Sequence, residues 1–394
     1  MAHYDLVILG AGVVGCSIAF HAAKLGAGRV LLLDRGGIAE GTTSQSSGII
    51  RTHYSVPENV ELAQRSYAAF RDFAAYVGEP QASSGFTRCG YLVVAAGDAH
   101  GAAVRAALAQ QRGFGLDARE IDAAAARELL PLLRTDGLAV FGYEPDAGYA
   151  DAHLVATGFA AAARRLGVEV RTGVAAAALR CHRQRVTGVT TSRGDPIDAG
   201  VVVCALNVWT PPLLEPLGIR APLQAERHEV VALEAPQPYL PSYPVLKDMA
   251  SASMLYARCY GRRQLLVSRG LPGLVTDPDE GQAPVPLDLV AELGEQVAQR
   301  LDGFDEAALA SSWTGLYDVT PDWNPVLGPV EGWAGLQVAF GFSGHGFKLS
   351  PAVGRLLAQS ALGLEPDLSL APYALERFDR GRPLVGRYGP GAVS

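Results

Sequence analysis

The chain has 394 residues, 49% of them hydrophobic and 19% charged, and 33 basic against 40 acidic side chains give a net charge of −7. It holds ample material for a core, and the lack of a dense basic block argues against nucleic acid as a partner. The uncharged run at 6–20, LVILGAGVVGCSIAF, is 15 residues long and follows Asp5, whereas a membrane span needs about 20 residues and a signal peptide a basic start, so we expect a cytoplasmic protein with no membrane span.

In chain order, YDLVIL at 4–9 reads as a buried parallel strand. A helix is predicted over 13–25 and a second strand, RVLLLD, ends at Asp34, giving a βαβ unit. A loop of small polar residues, GTTSQSSG at 41–48, comes next. A helix is predicted from Pro57, with Ser55 and Glu58 at capping-box spacing. Val60, Ala63, Tyr67, Phe70, Ala74 and Val77 form its apolar stripe. Residues 88–143 mix a strand, CGYLVVAA, with alanine-rich helices. A further helix fits 152–166. Short strands are expected at VEVRTG, RVTGVTT and VVVCAL. Residues 222–275 alternate like antiparallel strands at HEVVALE, SMLYARCY and QLLVSRG. A helix is predicted over 287–301, and the tail returns to strand, glycine loop and helix at 335–362. The pattern predicts two interleaved domains: a nucleotide-binding one over 1–85, 145–218 and 318–385, and a mixed-sheet one over 86–144 and 219–317.

The five cysteines, Cys16, Cys89, Cys181, Cys204 and Cys259, are odd in number and form no CxxC. That argues against a disulfide framework or a zinc site, and no metal is expected. Cys16 and Cys204 lie in apolar runs and read as small core residues.

GAGVVG at 10–15 matches GxGxxG between the first strand and the first helix. Gly10 permits the tight turn, Gly12 lets backbone N–H groups approach a diphosphate, and Gly15 lets helix and strand pack closely. Val13 and Val14 open the helix, whose N-terminus favours negative charge. Asp34, at the end of the second strand, is placed to accept ribose hydroxyls. These features alone do not separate NAD from FAD. Two glycine-rich stretches favour a flavin. The hydroxyls of Thr42, Thr43, Ser44, Ser46 and Ser47, with Gly48, can serve phosphate and ring edges. The second stretch is GFSGHGFKLSP at 341–351, where Gly341, Ser343, Gly344, His345 and Gly346 lead into a helix. Ser350 is expected as its N-cap and Pro351 in its first turn. Such an approach gathers unpaired N–H donors at one point. Fixed donors facing the pyrimidine edge of a flavin stabilise the charge gained on reduction.

GAGVVG with Asp34, the TTSxSSG loop followed by Ile-Ile-Arg51, and GFSGHGFKLSPAVG together resemble the D-amino-acid-oxidase superfamily of FAD enzymes, with the sarcosine oxidase and dimethylglycine dehydrogenase branch most similar. The resemblance covers nearly the whole chain in order. It implies an α/β and α+β fold, in which a Rossmann-like FAD domain of the glutathione-reductase type is interleaved with a mixed antiparallel-sheet substrate domain. It also implies oxidation of a small-molecule amine or amino acid at their interface, by hydride transfer from the carbon next to nitrogen to flavin N5.

Site roles follow from that resemblance. Arg51 and Lys348 match positions that hold a substrate carboxylate; the competing readings are a surface arginine after a strand and a solvated lysine at a helix start, where a cation opposes the helix dipole and so favours an anionic partner. Tyr317 matches an aromatic near the flavin, or is a packed core tyrosine. His345 is a donor to flavin or substrate, or a histidine satisfied within its loop. His53 and Tyr54 are expected near the pocket. Tyr256 and Arg258 lie on a substrate-domain strand that either faces the ligand or serves the core. Arg35 and Val174 join the expected cofactor contacts. Three departures stand out. Gly315 occupies the position of a flavin-bonding cysteine, so FAD is expected to be noncovalent. QLLVSRG lacks a lysine thought to assist oxygen, which puts dioxygen in doubt as acceptor and leaves Arg269 as a substitute. Asn207 replaces a glycine, a tolerated exchange where φ is positive, with Trp209 expected over the cofactor. The rival readings are an NAD-dependent dehydrogenase, a noncatalytic flavoprotein subunit or assembly factor, and a tailoring enzyme for a bulky amine. A homo-oligomer or a subunit of a larger oxidoreductase is compatible with the sequence.

Overall fold

The computed structural model describes residues 3–97, 99–238, 242–271, 273–280 and 283–386. Its first sheet is built around His3–Leu9, which pairs in parallel with Val30–Leu33 on one side and Pro196–Cys204 on the other. Glu169–Arg171 extends the sheet in parallel beyond Val30–Leu33, and Leu336–Phe340 does so beside Pro196–Cys204. Val7, Ile8 and Leu9 are buried, as expected of a parallel strand covered on both faces. Ile8 and Leu32 pack under the helices Val13–Lys24, Ala152–Arg165 and Gly346–Ala361. Val7, Leu9, Leu31 and Leu33 pack on the opposite side with Leu214 and Phe340.

The second sheet is mixed. Gln224–Glu234 lies antiparallel to Ala308–Val319 and to Gln264–Ser268. The order then runs through Tyr256–Tyr260, Val245–Asp248, Tyr91–Ala95 and Val140–Glu144. Val245–Asp248 and Tyr91–Ala95 are the parallel pair. The helix Leu287–Arg300 covers one face, with Leu293 and Val297 on Val231, Leu265 and Val267. A third, small sheet is made of Ile49–Ile50, Gly148–Tyr149 and Thr87–Arg88. Among the described residues, no helix is long and apolar enough to cross a membrane.

Local expectations need three corrections. The helix Pro57–Arg71 is preceded by Val56 at the N-cap, and no side chain caps it. With proline at the first helical position, Ser55 stands one residue too early for a capping box. The apolar stripe breaks at Asp72, whose side chain caps a second helix, Phe73–Val77, by accepting from Ala75 N. The C-terminal helix begins at Gly346 with His345 at the N-cap, so Ser350 and Pro351 lie inside it. Pro351 has no N–H for the carbonyl of Phe347 four residues back. Ser350 Oγ donates to that oxygen instead, at 2.9 Å. This exchange lets the helix start earlier than a proline signal predicts.

Candidate active site

The turn after the first strand is closed by backbone contact. Gly10 has φ +102, and a Cβ on Gly15 would fall 1.8 Å from Gly10 O. Gly12 is the N-cap of Val13–Lys24 and provides no capping side chain, which leaves the positive end of this helix open to an anion. Val13 N donates to Thr43 Oγ1 at 3.0 Å, so the 41–48 loop is anchored to the helix start. Asp34 is fixed in orientation, accepting from Ala11 N at 2.5 Å and from Gly36 N at 2.7 Å.

That loop is also held from the second sheet. Arg258 donates to Ser47 O, Trp313 Nε1 donates to Gln45 O at 3.1 Å, and Leu316 N donates to Gln45 Oε1 at 3.1 Å. A Cβ on Gly315 would fall 3.2 Å from that of Gln45. The glycine lets loop and strand approach.

The second glycine stretch is pinned by Asp318, whose Oδ2 accepts from Gly341 N at 2.6 Å, while its carbonyl accepts from Ser343 N at 3.2 Å. Gly341, Ser343 and Gly344 all have positive φ. A Cβ on Gly344 would fall 2.3 Å from the ring of Tyr317. Gly354 clears the crossing with the first helix, where a Cβ would meet Ser17 Oγ at 2.1 Å. The helices Val13–Lys24 and Gly346–Ala361 therefore pack closely, and both begin at one cavity.

That cavity encloses about 1320 Å³, counting the part open to solvent. Gly12, Val13, Val14, Gly15, Thr42, Thr43, Ser46, Ser47 and Asn207 form one part of its wall. Gly315, Tyr317, Ser343, Gly344, His345 and Gly346 form a second, and Arg51, Tyr256 and Lys348 complete the predicted set that it brings together. Gly10, Asp34, Ser44, Gly48 and Gly341 stand behind the lining, in the turns that shape it. Asn207 adopts φ +53, the conformation that a glycine would favour. Trp209 and Arg35 lie outside the lining: the guanidinium sits 4.2 Å from the indole, and both reach Asp279. Val174 donates its N–H to Asp34 O at 2.9 Å, also behind the wall.

The charged residues in this region are buried. Arg51 is 5% exposed and Lys348 8% exposed, which removes the surface readings of both. The Arg51 guanidinium lies 4.5 Å from the Tyr54 ring and 5.9 Å from that of Tyr91. Burial, helped by Arg51, holds the Lys348 ammonium well below the usual lysine range. Glu144 Oε1 accepts from Thr52 N at 2.7 Å and from Thr52 Oγ1 at 2.5 Å, fixing the residue next to Arg51. Burial pushes that carboxyl up to about 7. Tyr317 stacks on His228 at 3.8 Å and is hydrogen-bonded to Tyr256. His345 meets the Tyr54 ring edge-on at 5.2 Å. His53 is buried, with its ring 6.1 Å from that of Tyr91, outside the lining. Burial takes its pKa down to about 3. Arg269 pairs with Glu229 at 3.0 Å and does not line the cavity.

Sequence reasoning missed Lys247, Tyr91, Gln45, His228 and Asp318. Lys247 lines the cavity from Val245–Asp248, and its Nζ donates to Met254 O at 2.6 Å. Burial and then Arg51 bring its pKa down to about 7. A lone lysine in a four-residue strand gives no periodicity, so no signal marked it. His228 opens HEVVALE, and the alternation that puts Val230 on the cavity face puts His228 there too.

A dinucleotide-binding crossover whose helix start shares a cavity with a second, C-terminal glycine turn defines an oxidoreductase with an extended nucleotide cofactor. The chain belongs to the FAD dependent oxidoreductase family DAO, whose model matches residues 5–360. The chain is accordingly an enzyme of the FAD-dependent class that acts on amines or amino acids. This sets aside the NAD reading of the glycine motif. The chain is 28% identical to the FAD-dependent oxidoreductase domain-containing protein 1 of Bos taurus, over 95% of this chain and 84% of that protein. It is 27% identical to the sarcosine oxidase subunit beta of Arthrobacter sp, over 99% and 95%. The crystal structure of L-proline dehydrogenase from P. horikoshii superimposes with a TM-score of 0.89 at 25% identity, covering 97% and 99%.

Proposed function

We propose that the protein oxidises a secondary or tertiary amine that carries a carboxylate, with N-methyl and cyclic amino acids as the substrate class. The observation that carries this reading is the pair of buried cations, Arg51 and Lys348, in the wall of the cavity. A guanidinium and an ammonium suit one carboxylate as a directional pair and a point charge. The same cations disfavour a neighbouring ammonium, so they favour the neutral amine whose lone pair assists loss of hydride from the adjacent carbon. FAD, when bound, supplies the two-electron acceptor. Residues 12–15 and Thr43 are suited to its diphosphate, Asp34 to its ribose, and the amides at 343–346 to its pyrimidine edge. Gly315 offers no side chain for a covalent bond, so we expect FAD to be released on denaturation. Tyr317, held by Tyr256 and His228, shapes the substrate side. Water then hydrolyses an acyclic imine; a ring imine is retained.

In this reading the segments 1–85, 145–218 and 318–385 hold FAD, and 86–144 with 219–317 hold the substrate. The similarity to a protein named as a subunit supports assembly into a larger oxidoreductase. We take the protein as cytoplasmic, with dioxygen or another acceptor reoxidising it. The test is anaerobic mixing of the yellow protein with a panel of N-methyl and cyclic amino acids. Bleaching by carboxylate-bearing amines, and not by the same amines as amides, is expected. Bleaching indifferent to the carboxylate contradicts the reading.

A further inference from the structure

The cationic side chains lining the cavity, among the described residues, are Arg51, Lys348 and Lys247. The one carboxylate in that lining, Asp318, is committed to Gly341 N. A single substrate carboxylate accounts for Arg51 and Lys348 and leaves Lys247 without an anion.

The register explains why Lys247 faces inward. Val245 is opposite Tyr91, Lys247 is opposite Val93 on one side and Tyr256 on the other, and all share one face of the second sheet. Asp248, the next residue, points the other way and is taken by Arg300 at 2.6 Å. Its charge still favours the Lys247 ammonium through space, but less than burial and then Arg51 disfavour it. An ammonium has three donors; the contact described for this one is a single bond to the neutral carbonyl of Met254, with the Tyr256 ring 5.8 Å away. Gly270 keeps room for it, since a Cβ there would fall 2.0 Å from Lys247 Nζ. Burial, and then the Arg51 charge, disfavour the ammonium form of Lys247. A buried ammonium in a ligand cavity is relieved by an anion on the ligand.

We propose that the substrate amine carries two carboxylates, one held by Arg51 and Lys348 and the other by Lys247. The class is the N-carboxyalkyl amino acids, secondary amines with an acid on each arm. This inference rests on the amine-oxidation reading above.

The test uses two sulfur analogues that cannot form an imine, methylthioacetate with one carboxylate and thiodiacetate with two. Binding to the FAD-loaded full chain is measured by calorimetry. Thiodiacetate is expected to bind at least about tenfold tighter, as one further charge-assisted contact implies. In Lys247→Met, a swap of similar length, that ratio is expected to fall to about twofold or less. Equal binding by the wild-type protein overturns the proposal, and so does a ratio that survives the substitution. Should the variant not fold, the wild-type ratio still decides. A parallel anaerobic series compares sarcosine with N-(carboxymethyl)glycine. A thiodiacetate preference without bleaching by either amine keeps the second carboxylate site and removes the amine chemistry. Bleaching without a thiodiacetate preference does the reverse.

Discussion

The two parts of the cavity wall are made from different materials. Around residues 10–15 and 341–346 the wall is backbone: glycines at close approach, helix starts without capping side chains, and carboxylates of Asp34 and Asp318 that fix the turns. Around Arg51, Lys247 and Lys348 the wall is side chain, and its charges are buried next to one another. The backbone part owes its shape to the lack of atoms, so it breaks when a carbon is added. The side-chain part places buried cations where they disfavour one another, and it changes when a charge is removed. Fixed dipoles suit an invariant cofactor; buried charges suit a ligand that arrives and leaves with its own charge.

Adding one carbon to the backbone part tests this difference most severely. Gly15→Ala puts a methyl where Gly10 O lies 1.8 Å away. The turn must open, and we expect loss of FAD from the purified protein together with a destabilisation of several kcal/mol, about the size of severe overpacking. Retained FAD and an unchanged melting temperature would show that the turn is not set by this contact.

Removing a charge from the other part is expected to spare the cofactor. Arg51→Ala should weaken carboxylate-bearing ligands by about 2 kcal/mol or more, the usual cost of leaving a buried partner charge unpaired, while the protein stays yellow. Calorimetry with methylthioacetate and a flavin content assay give the two readings. If FAD is lost and ligand affinity is kept, the division between the two parts fails.

Within the side-chain part, Lys247 and Glu144 change stability in different pH windows. Folding lowers Lys247 from 10.5 to about 7. Its burial therefore costs most at and below pH 7, and the cost fades as pH rises to 10.5. Lys247→Met should raise the melting temperature at pH 7 and lose most of that advantage near pH 10. Folding raises Glu144 from 4.5 to about 7. Its contribution is complete below pH 4.5 and is lost as pH rises through about 7. Glu144→Gln should flatten the fall in stability across that window. Parallel wild-type and variant curves in either window contradict the assignment of these buried charges.

The smallest effect belongs to Asn207, held at φ +53. Asn207→Gly should change stability by less than about 1 kcal/mol, whereas Asn207→Ala should cost about 1 kcal/mol through positive φ. Equal melting curves for the two variants would remove the conformational argument.

The backbone part was legible because its chemistry is local. GAGVVG, Asp34 and GFSGHG each carry within a few residues the spacing that their turns require. Positive φ at Asn207 was expected only because the family resemblance puts a glycine there. The side-chain part was legible only where a family resemblance marked it, at Arg51, Tyr317 and Lys348. Lys247 and Tyr91 come from neighbouring strands of a sheet whose parallel pair, Val245–Asp248 with Tyr91–Ala95, joins segments about 150 residues apart. No spacing in the sequence encodes that register. The helix starts failed for a different reason. Serine and proline at 350–351 have the form of an opening signal, but the Ser350 hydroxyl takes the place of the missing amide and the helix runs through them.

A crystal structure of the FAD-loaded protein with thiodiacetate decides whether both glycine-rich segments serve one flavin. It is expected to show the diphosphate at residues 12–15, the pyrimidine edge of the flavin at the amides of 343–346, and carboxylates on Arg51 with Lys348 and on Lys247. A flavin ring remote from 343–346, with the two glycine-rich segments serving different molecules, would contradict it.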